Sequence, residues 1–192
     1  MELEGLSLRI VPVKSESEKG LYTYGFGRVD LETVYDNVMN KFRWGNFDKL
    51  DTHVAYSYGP SIQSLRVVMM RTGRRLIDAG EKDKAIALME KYFEAFPNFN
   101  FPYDWNTLQM INVMVEAGGY EKAKPHIEIL ARNVAQQLAF HETLDPSRLT
   151  QGGDFEQEHS LAVNARDLLL QMVGQQNDEE FLKKIQGIFQ GL

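Results

Sequence analysis

The 192-residue sequence contains no cysteine. That absence removes disulfides, zinc–thiolate sites, iron–sulfur clusters and a cysteine nucleophile from consideration, while leaving the redox compartment open. Positive charge is not in excess: 21 Lys and Arg stand against 27 Asp and Glu, for a net charge of −6. A general nucleic-acid or anionic-membrane surface needs the opposite sign, so no nucleic-acid partner is expected. No run of about 18 apolar residues occurs, so no segment is expected to cross or insert into a bilayer. Met1-Glu2-Leu3-Glu4 lacks the basic-then-apolar build of a signal peptide. What is present is the composition of an ordinary folded protein, 43% hydrophobic and 25% charged. The length suits one domain with a real core, or one domain with an appended segment.

Leu6 to Val13 alternates apolar and other residues and reads as a short strand, with Pro12 marking an edge or strand end. Residues 14 to 28, with Gly20, Gly25 and Gly27, read as a loop. Asp30 is a plausible N-cap for a helix over 30–44, with Glu32 in its first turn where the helix dipole favours negative charge. Leu31, Val34, Tyr35, Val38, Met39 and Phe42 recur at helical spacing as its buried stripe, and Gly45 looks like its stop. A connector over 46–60 follows.

From Ser61 the pattern is helix after helix. The spacing predicts helices over 61–79, 83–96, 104–117 and 120–141, then a loop over 143–157, then helices over about 158–173 and 178–189. The expected class is therefore mainly α, organised as residues 1–60 (strand, loop and capping helix) packed on residues 61–192, in one compact domain.

An internal repeat is the most specific signal. Ile77-Asp78-Ala79-Gly80-Glu81-Lys82-Asp83-Lys84-Ala85 parallels Val115-Glu116-Ala117-Gly118-Gly119-Tyr120-Glu121-Lys122-Ala123, with Gly80 and Gly118 38 residues apart, as are Ala85 and Ala123. Glycine ends a helix in the left-handed conformation without Cβ strain, and alanine early in the next helix lets the pair approach closely. The pattern resembles tetratricopeptide repeats: Gly73, Leu76, Gly80, Ala85 and Pro97 fall at that family's small, large, turn, small and terminal-proline positions. The second unit departs from the pattern, with Ala135 where the proline belongs, and a third near Gly174 and Phe181 is fainter. The resemblance implies a stack of antiparallel helix hairpins, an α–α superhelix. The N-terminal elements would cap one end and helices 158–190 the other. A generic helical hairpin with a glycine turn would give the same local pattern.

A second resemblance rests on Gly27-Arg28-Val29-Asp30, on Tyr35-Asp36-Asn37-Val38-Met39-Asn40-Lys41-Phe42-Arg43-Trp44-Gly45-Asn46, on Leu8 to Lys14 before them and on Ala79 to Ala85 after them. Over roughly residues 6 to 135 the chain resembles the large Bacteroidetes membrane proteins of domain-of-unknown-function group 2723, whose N-terminal part is similar to protein O-mannosyltransferases. The resemblance implies that this segment is the soluble C-terminal tail of a multi-spanning, glycosyltransferase-like protein. It would lie on the extracytoplasmic, periplasmic face of the inner membrane. The glycosyl-transfer chemistry would then belong to the membrane part, and no catalytic residue carries over to this segment. The implied partner is its own membrane domain, or a protein or peptide.

Candidate sites follow from position. Asn37, Asn40, Lys41 and Trp44 are spaced three or four apart and would share a helix face, able to dock a partner or hold a polar ligand. The alternative is a structural role, tying the N-terminal loop to the repeats. On the concave face of a repeat stack Arg71, Arg74, Asp78, Asn112 and Glu116 would be displayed, and guanidinium groups there could clamp a carboxylate or acidic peptide. The bland reading is a solvated charged face. His53, His126, His141 and His159 lack helical ligand spacing, so no metal and no cofactor is expected, and exposed histidines are the default. No Gly-x-Ser-x-Gly elbow occurs, and Gly25-x-Gly27 lacks the third glycine of a phosphate loop. The aromatic run Tyr92, Phe93, Phe96, Phe99, Phe101, Tyr103 and Trp105 reads as inter-repeat core. The leading expectation is a non-catalytic interaction or regulatory module. A free-standing peptide-binding scaffold, or a small enzyme with an unrecognised site, is the alternative.

Overall fold

Asp30 caps the first helix as its residue type dictates: its Oδ1 accepts the Thr33 backbone N–H at 3.1 Å, and Glu32 sits in the first turn. The same local rules hold along a mainly helical chain. The computed structural model describes residues 2–10, 27–149 and 153–191, with seven α-helices among them. None of these helices is long and apolar enough to cross a membrane. The predicted strand residues Val11–Val13 and the glycines at 20 and 25 lie outside the described residues. The chain divides into two compact units, Met1–Phe101 with Val113–Gly119, and Pro102–Asn112 with Tyr120–Leu192.

In the first unit a small sheet has the order β2-β1-β3, from β1 (Glu2–Leu3), β2 (Leu8–Arg9) and β3 (Arg28–Val29). β1 pairs antiparallel with β2, setting Glu2 opposite Arg9, and parallel with β3, setting Glu2 opposite Arg28. The predicted strand over 6–13 is thus only Leu8–Arg9 among the described residues. Its antiparallel partner β1, reached through a turn at Gly5 with φ of +106°, was too short to show a pattern. Buried Glu2 holds the sheet together by ion pairs with Arg28 and Arg9, which keep its carboxyl below the ordinary range.

The helix predicted over 30–44 is shorter. α1 covers Leu31–Asp36, a π-helical turn covers Asn37–Lys41, and the Phe42 N–H closes on the Asn37 carbonyl at 2.7 Å. Phe42 is already extended, so Gly45 is not the stop. Val34 and Val38 are the fully buried members of the stripe.

α2 (Gly59–Asp78) and α3 (Lys82–Ala95) form an antiparallel hairpin, with Pro97 just beyond the end of α3. Gly80 takes φ of +78° and ends α2 with two bonds: Gly80 N–H to the Ile77 carbonyl at 2.9 Å and Glu81 N–H to the Leu76 carbonyl at 2.8 Å. This is the Schellman arrangement, which satisfies carbonyls that a helix end otherwise leaves open. α4 (Trp105–Glu116) ends in the same way: Gly118 has φ of +95°, its N–H meets the Val115 carbonyl at 2.9 Å, and Gly119 N–H meets Met114 at 2.9 Å. Ala85 and Ala123 are fully buried, as their close-packing role requires. The core of this unit includes Met69, Leu76, Leu88, Met89, Tyr92 and Phe96.

In the second unit α5 (Tyr120–Glu142) packs against α6 (Asp154–Gly174) and α7 (Glu179–Gln190). Ala131 and Ala135 on α5 and Ala162 and Ala165 on α6 are buried, so small side chains recur along both packed helices. Without a proline at 135, α5 runs on to Glu142. α6 starts at Asp154, inside the predicted loop, and part of the remaining loop is a 3-10 turn over Pro146–Leu149. The faint third repeat does not have the glycine turn of the other two. Gly174 is the last residue of α6, and Asn177 takes the left-handed conformation at φ of +56° before Asp178 caps α7.

Candidate functional site

The π-helical turn decides where the first candidate cluster goes. Inserting one residue per turn rotates every later side chain off the ordinary helical face. Asn37, Asn40 and Lys41 lie within that turn and Trp44 beyond it, so the four do not sit on one continuous α-helical face. Asn37 Nδ2 donates to the Glu4 carbonyl at 2.9 Å and ties the N-terminal segment to the helix. Asn40 Nδ2 donates to Asp36 Oδ1 at 2.8 Å and Lys41 Nζ lies 2.6 Å from Asp36 Oδ2, a pairing that holds the Asp36 carboxyl low. Trp44 lies beyond the helix on extended chain and goes elsewhere.

Trp44 packs edge-to-face with Phe96 at 5.6 Å and with Phe42 at 6.0 Å. Past it, Asn46 adopts the left-handed conformation at φ of +51° and turns the chain into a 3-10 turn over Phe47–Lys49. The result is a cavity of about 210 Å³ lined by Trp44, Asn46, Asp48, Lys49, Lys91 and Glu94, with Ala95 of α3 completing the wall. Lys91 Nζ donates to Glu94 Oε2 at 2.9 Å and Lys49 Nζ to Asn46 Oδ1 at 3.3 Å. Two lysines and two carboxylates line the cavity, so it carries no formal net charge. The Trp44 indole N–H is buried with no hydrogen-bond partner among the described residues. An aromatic wall edged by donors and acceptors of both kinds fits a small polar group rather than an ion.

The arginine cluster is not assembled as expected. Arg71 is buried, not displayed, and its Nη2 donates to the Gly27 carbonyl at 2.8 Å, anchoring the chain that enters β3. Its repeat position places Arg71 on the displayed concave face, because nothing in the sequence shows that β3 covers it. Arg74 pairs with Glu116, and Asp78 with Arg75 at 3.2 Å, so these charges meet one another before any ligand. Asn112 is half-buried and belongs to the second unit.

The histidines also depart from the default. His53 is exposed and stacks on Phe99 at 4.2 Å; His126 Nδ1 meets the Tyr103 hydroxyl at 3.0 Å. His141 is completely buried, and neither ring nitrogen has a hydrogen-bond partner among the described residues. It stands edge-to-face to His159 at 5.3 Å. Among the described residues no group of three His, Asp or Glu is arranged to hold a metal ion. Of the aromatic run, Tyr92, Phe93, Phe96, Phe101 and Tyr103 are buried, whereas Phe99 is exposed.

Sequence reasoning missed the cavity residues Asn46, Asp48, Lys49, Lys91 and Glu94, which come together only through the turn at Asn46. His141 had a readable signal: Ile127, Leu130, Val134 and Leu138 precede it at helical spacing, all buried, and it continues that stripe.

Comparison with family models, with curated proteins and with solved structures finds no match.

Proposed function

We propose that the chain is a non-catalytic, tetratricopeptide-like interaction module that serves as the tail of a multi-spanning, glycosyltransferase-like membrane protein, on its periplasmic side. The single observation that carries the repeat reading is the pair of Schellman-closed helix ends at Gly80 and Gly118, bonded alike and 38 residues apart. Support comes also from Gly73, the small residue of the first repeat. A Cβ there would lie 2.7 Å from Val113 Cγ1, so α2 and α4 touch where successive repeats would stack.

The Trp44 cavity is the docking point in this reading, since Arg71 is structural and Arg74 is already paired. It would receive a polar side chain or loop of the membrane domain or of a peptide. The test is amine- and photo-crosslinking from positions 46 and 49 in native membranes, read by mass spectrometry. Adducts joining these positions to a polypeptide with spanning helices support the proposal. A chain that leaves the membranes on gentle washing without such adducts overturns the membrane assignment. Adducts confined to a separate soluble peptide would favour the free-standing scaffold.

A further inference from the structure

We propose that His141, packed against His159, forms an acid-sensitive latch between α5 and α6, so that protonation of His141 at mildly acidic pH releases the N-terminal half of α6. The geometry is that of a buried group with no hydrogen-bonded partner for its charge among the described residues. The His141 side chain is 1% exposed, both ring nitrogens lack hydrogen-bond partners among the described residues, and the ring packs on another imidazole whose Nδ1 is also buried without a hydrogen bond. A neutral imidazole leaves one donor and one acceptor unmet there; an imidazolium needs two acceptors and has only the Glu158 carboxylate, beyond hydrogen-bond distance.

The titratable groups facing His141 from α6 are Glu158 and His159. Glu158 Oε2 is 3.9 Å from His141 Nε2, too far for a hydrogen bond, and its side chain is 55% exposed. On α5 itself Glu142 follows His141 and is exposed. α7 also packs on α5, but its Lys184 is committed to Glu128, far up the helix. Burial pushes His141 below its ordinary value, His159 pushes it further, and Glu158 opposes them. His141 lies in the last turn of α5, where the helix dipole favours a cation; this, like Glu158, opposes burial without supplying the missing hydrogen bonds.

The sign follows from linkage. Because His141 is depressed when folded, the closed state loses nothing above the ordinary histidine value of 6.5. Below it the open state binds a proton that the closed state refuses, so closure weakens as pH falls toward the depressed value. Opening is confined to this end of the interface, where α6 begins at Asp154 and where Phe140 and Phe155 approach at 6.5 Å. Farther along, Leu169 and Val173 remain buried and hold the rest of α6.

Amide hydrogen exchange of the whole chain, corrected for intrinsic rates, tests this. Protection over residues 154–162 should fall by up to about tenfold per pH unit below about pH 6.5, with α2 and α3 unaffected. His141→Phe should flatten that dependence. Equal slopes in the wild type and the variant, or flat protection in the wild type, would overturn the latch. Should His141→Phe fail to fold, proton NMR titration of the wild type decides: a depressed His141 upholds the latch, and an unshifted one overturns it.

Discussion

Gly73 of α2 and Val113 of α4 are in direct contact, with no room between them for a methyl group: a Cβ on residue 73 would fall 2.7 Å from Val113 Cγ1 and 3.1 Å from Met89 Cε. Val113 is β-branched and fully buried, so it cannot rotate aside. Gly73→Ala should therefore destabilise by roughly 1–2 kcal/mol, overpacking outweighing the gain of about 1 kcal/mol in helix propensity. Val113→Ala in the same chain should recover about 1 kcal/mol of that loss, a coupling readable in urea denaturation of the four proteins.

Gly80 and Gly118 test the turns without packing effects, because a Cβ at either position meets nothing within 4 Å. Each holds a positive φ that alanine resists, so Gly80→Ala and Gly118→Ala should each cost about 1–2 kcal/mol. Asparagine, which tolerates the left-handed conformation, should cost less at both sites. Equal stability of the alanine and asparagine variants in thermal unfolding would contradict the geometry.

Two arginines three residues apart on α2 should behave differently. Arg71→Met removes a buried donor and leaves the Gly27 carbonyl without its bond, so a loss of about 1–3 kcal/mol is expected. Arg74→Glu breaks only a half-exposed pair with Glu116 and should cost less than about 1 kcal/mol, recovered by adding Glu116→Arg. Chemical denaturation distinguishes the two cases directly.

Tyr120, Lys124 and Asp178 join α5 to α7 and define the alkaline limb of stability. Burial first, and then the Asp178 charge, push the Tyr120 phenol up to about 12 from its ordinary 10.0. Its folded value is raised, so the contribution is intact below pH 10 and is lost as pH rises from 10 toward 12. Tyrosinate absorbance should lose a late-titrating component in Tyr120→Phe. At the other extreme, Lys124 and the Phe181 N–H hold Asp178 below its ordinary 3.8. That contribution is present above pH 3.8 and disappears as pH falls through the depressed value, so Asp178→Asn should flatten the acid limb.

Trp44 sets a test for the cavity wall. Trp44→Phe removes an indole N–H that is buried without a partner among the described residues, and should change stability by less than about 1 kcal/mol. Trp44→Ala also removes the contacts with Phe42 and Phe96, and should cost about 2–3 kcal/mol in guanidinium denaturation.

The sequence by itself determined what local chemistry can determine. Asp30 had to cap a helix, Gly80 and Gly118 had to end helices, and Pro97 had to follow one. These outcomes depend on a residue's own backbone preference and on neighbours within one turn. The helical class and the position of nearly every helix follow from the same rules. Tertiary structure decided everything that depends on what covers a residue. Arg71 looked exposed until β3 lay over it. The helix expected to carry Asn37, Asn40, Lys41 and Trp44 ends in a π-helical turn at Lys41, which leaves Trp44 beyond it. Burial and register are set by partners distant in the chain, and no local pattern of side chains specifies those partners.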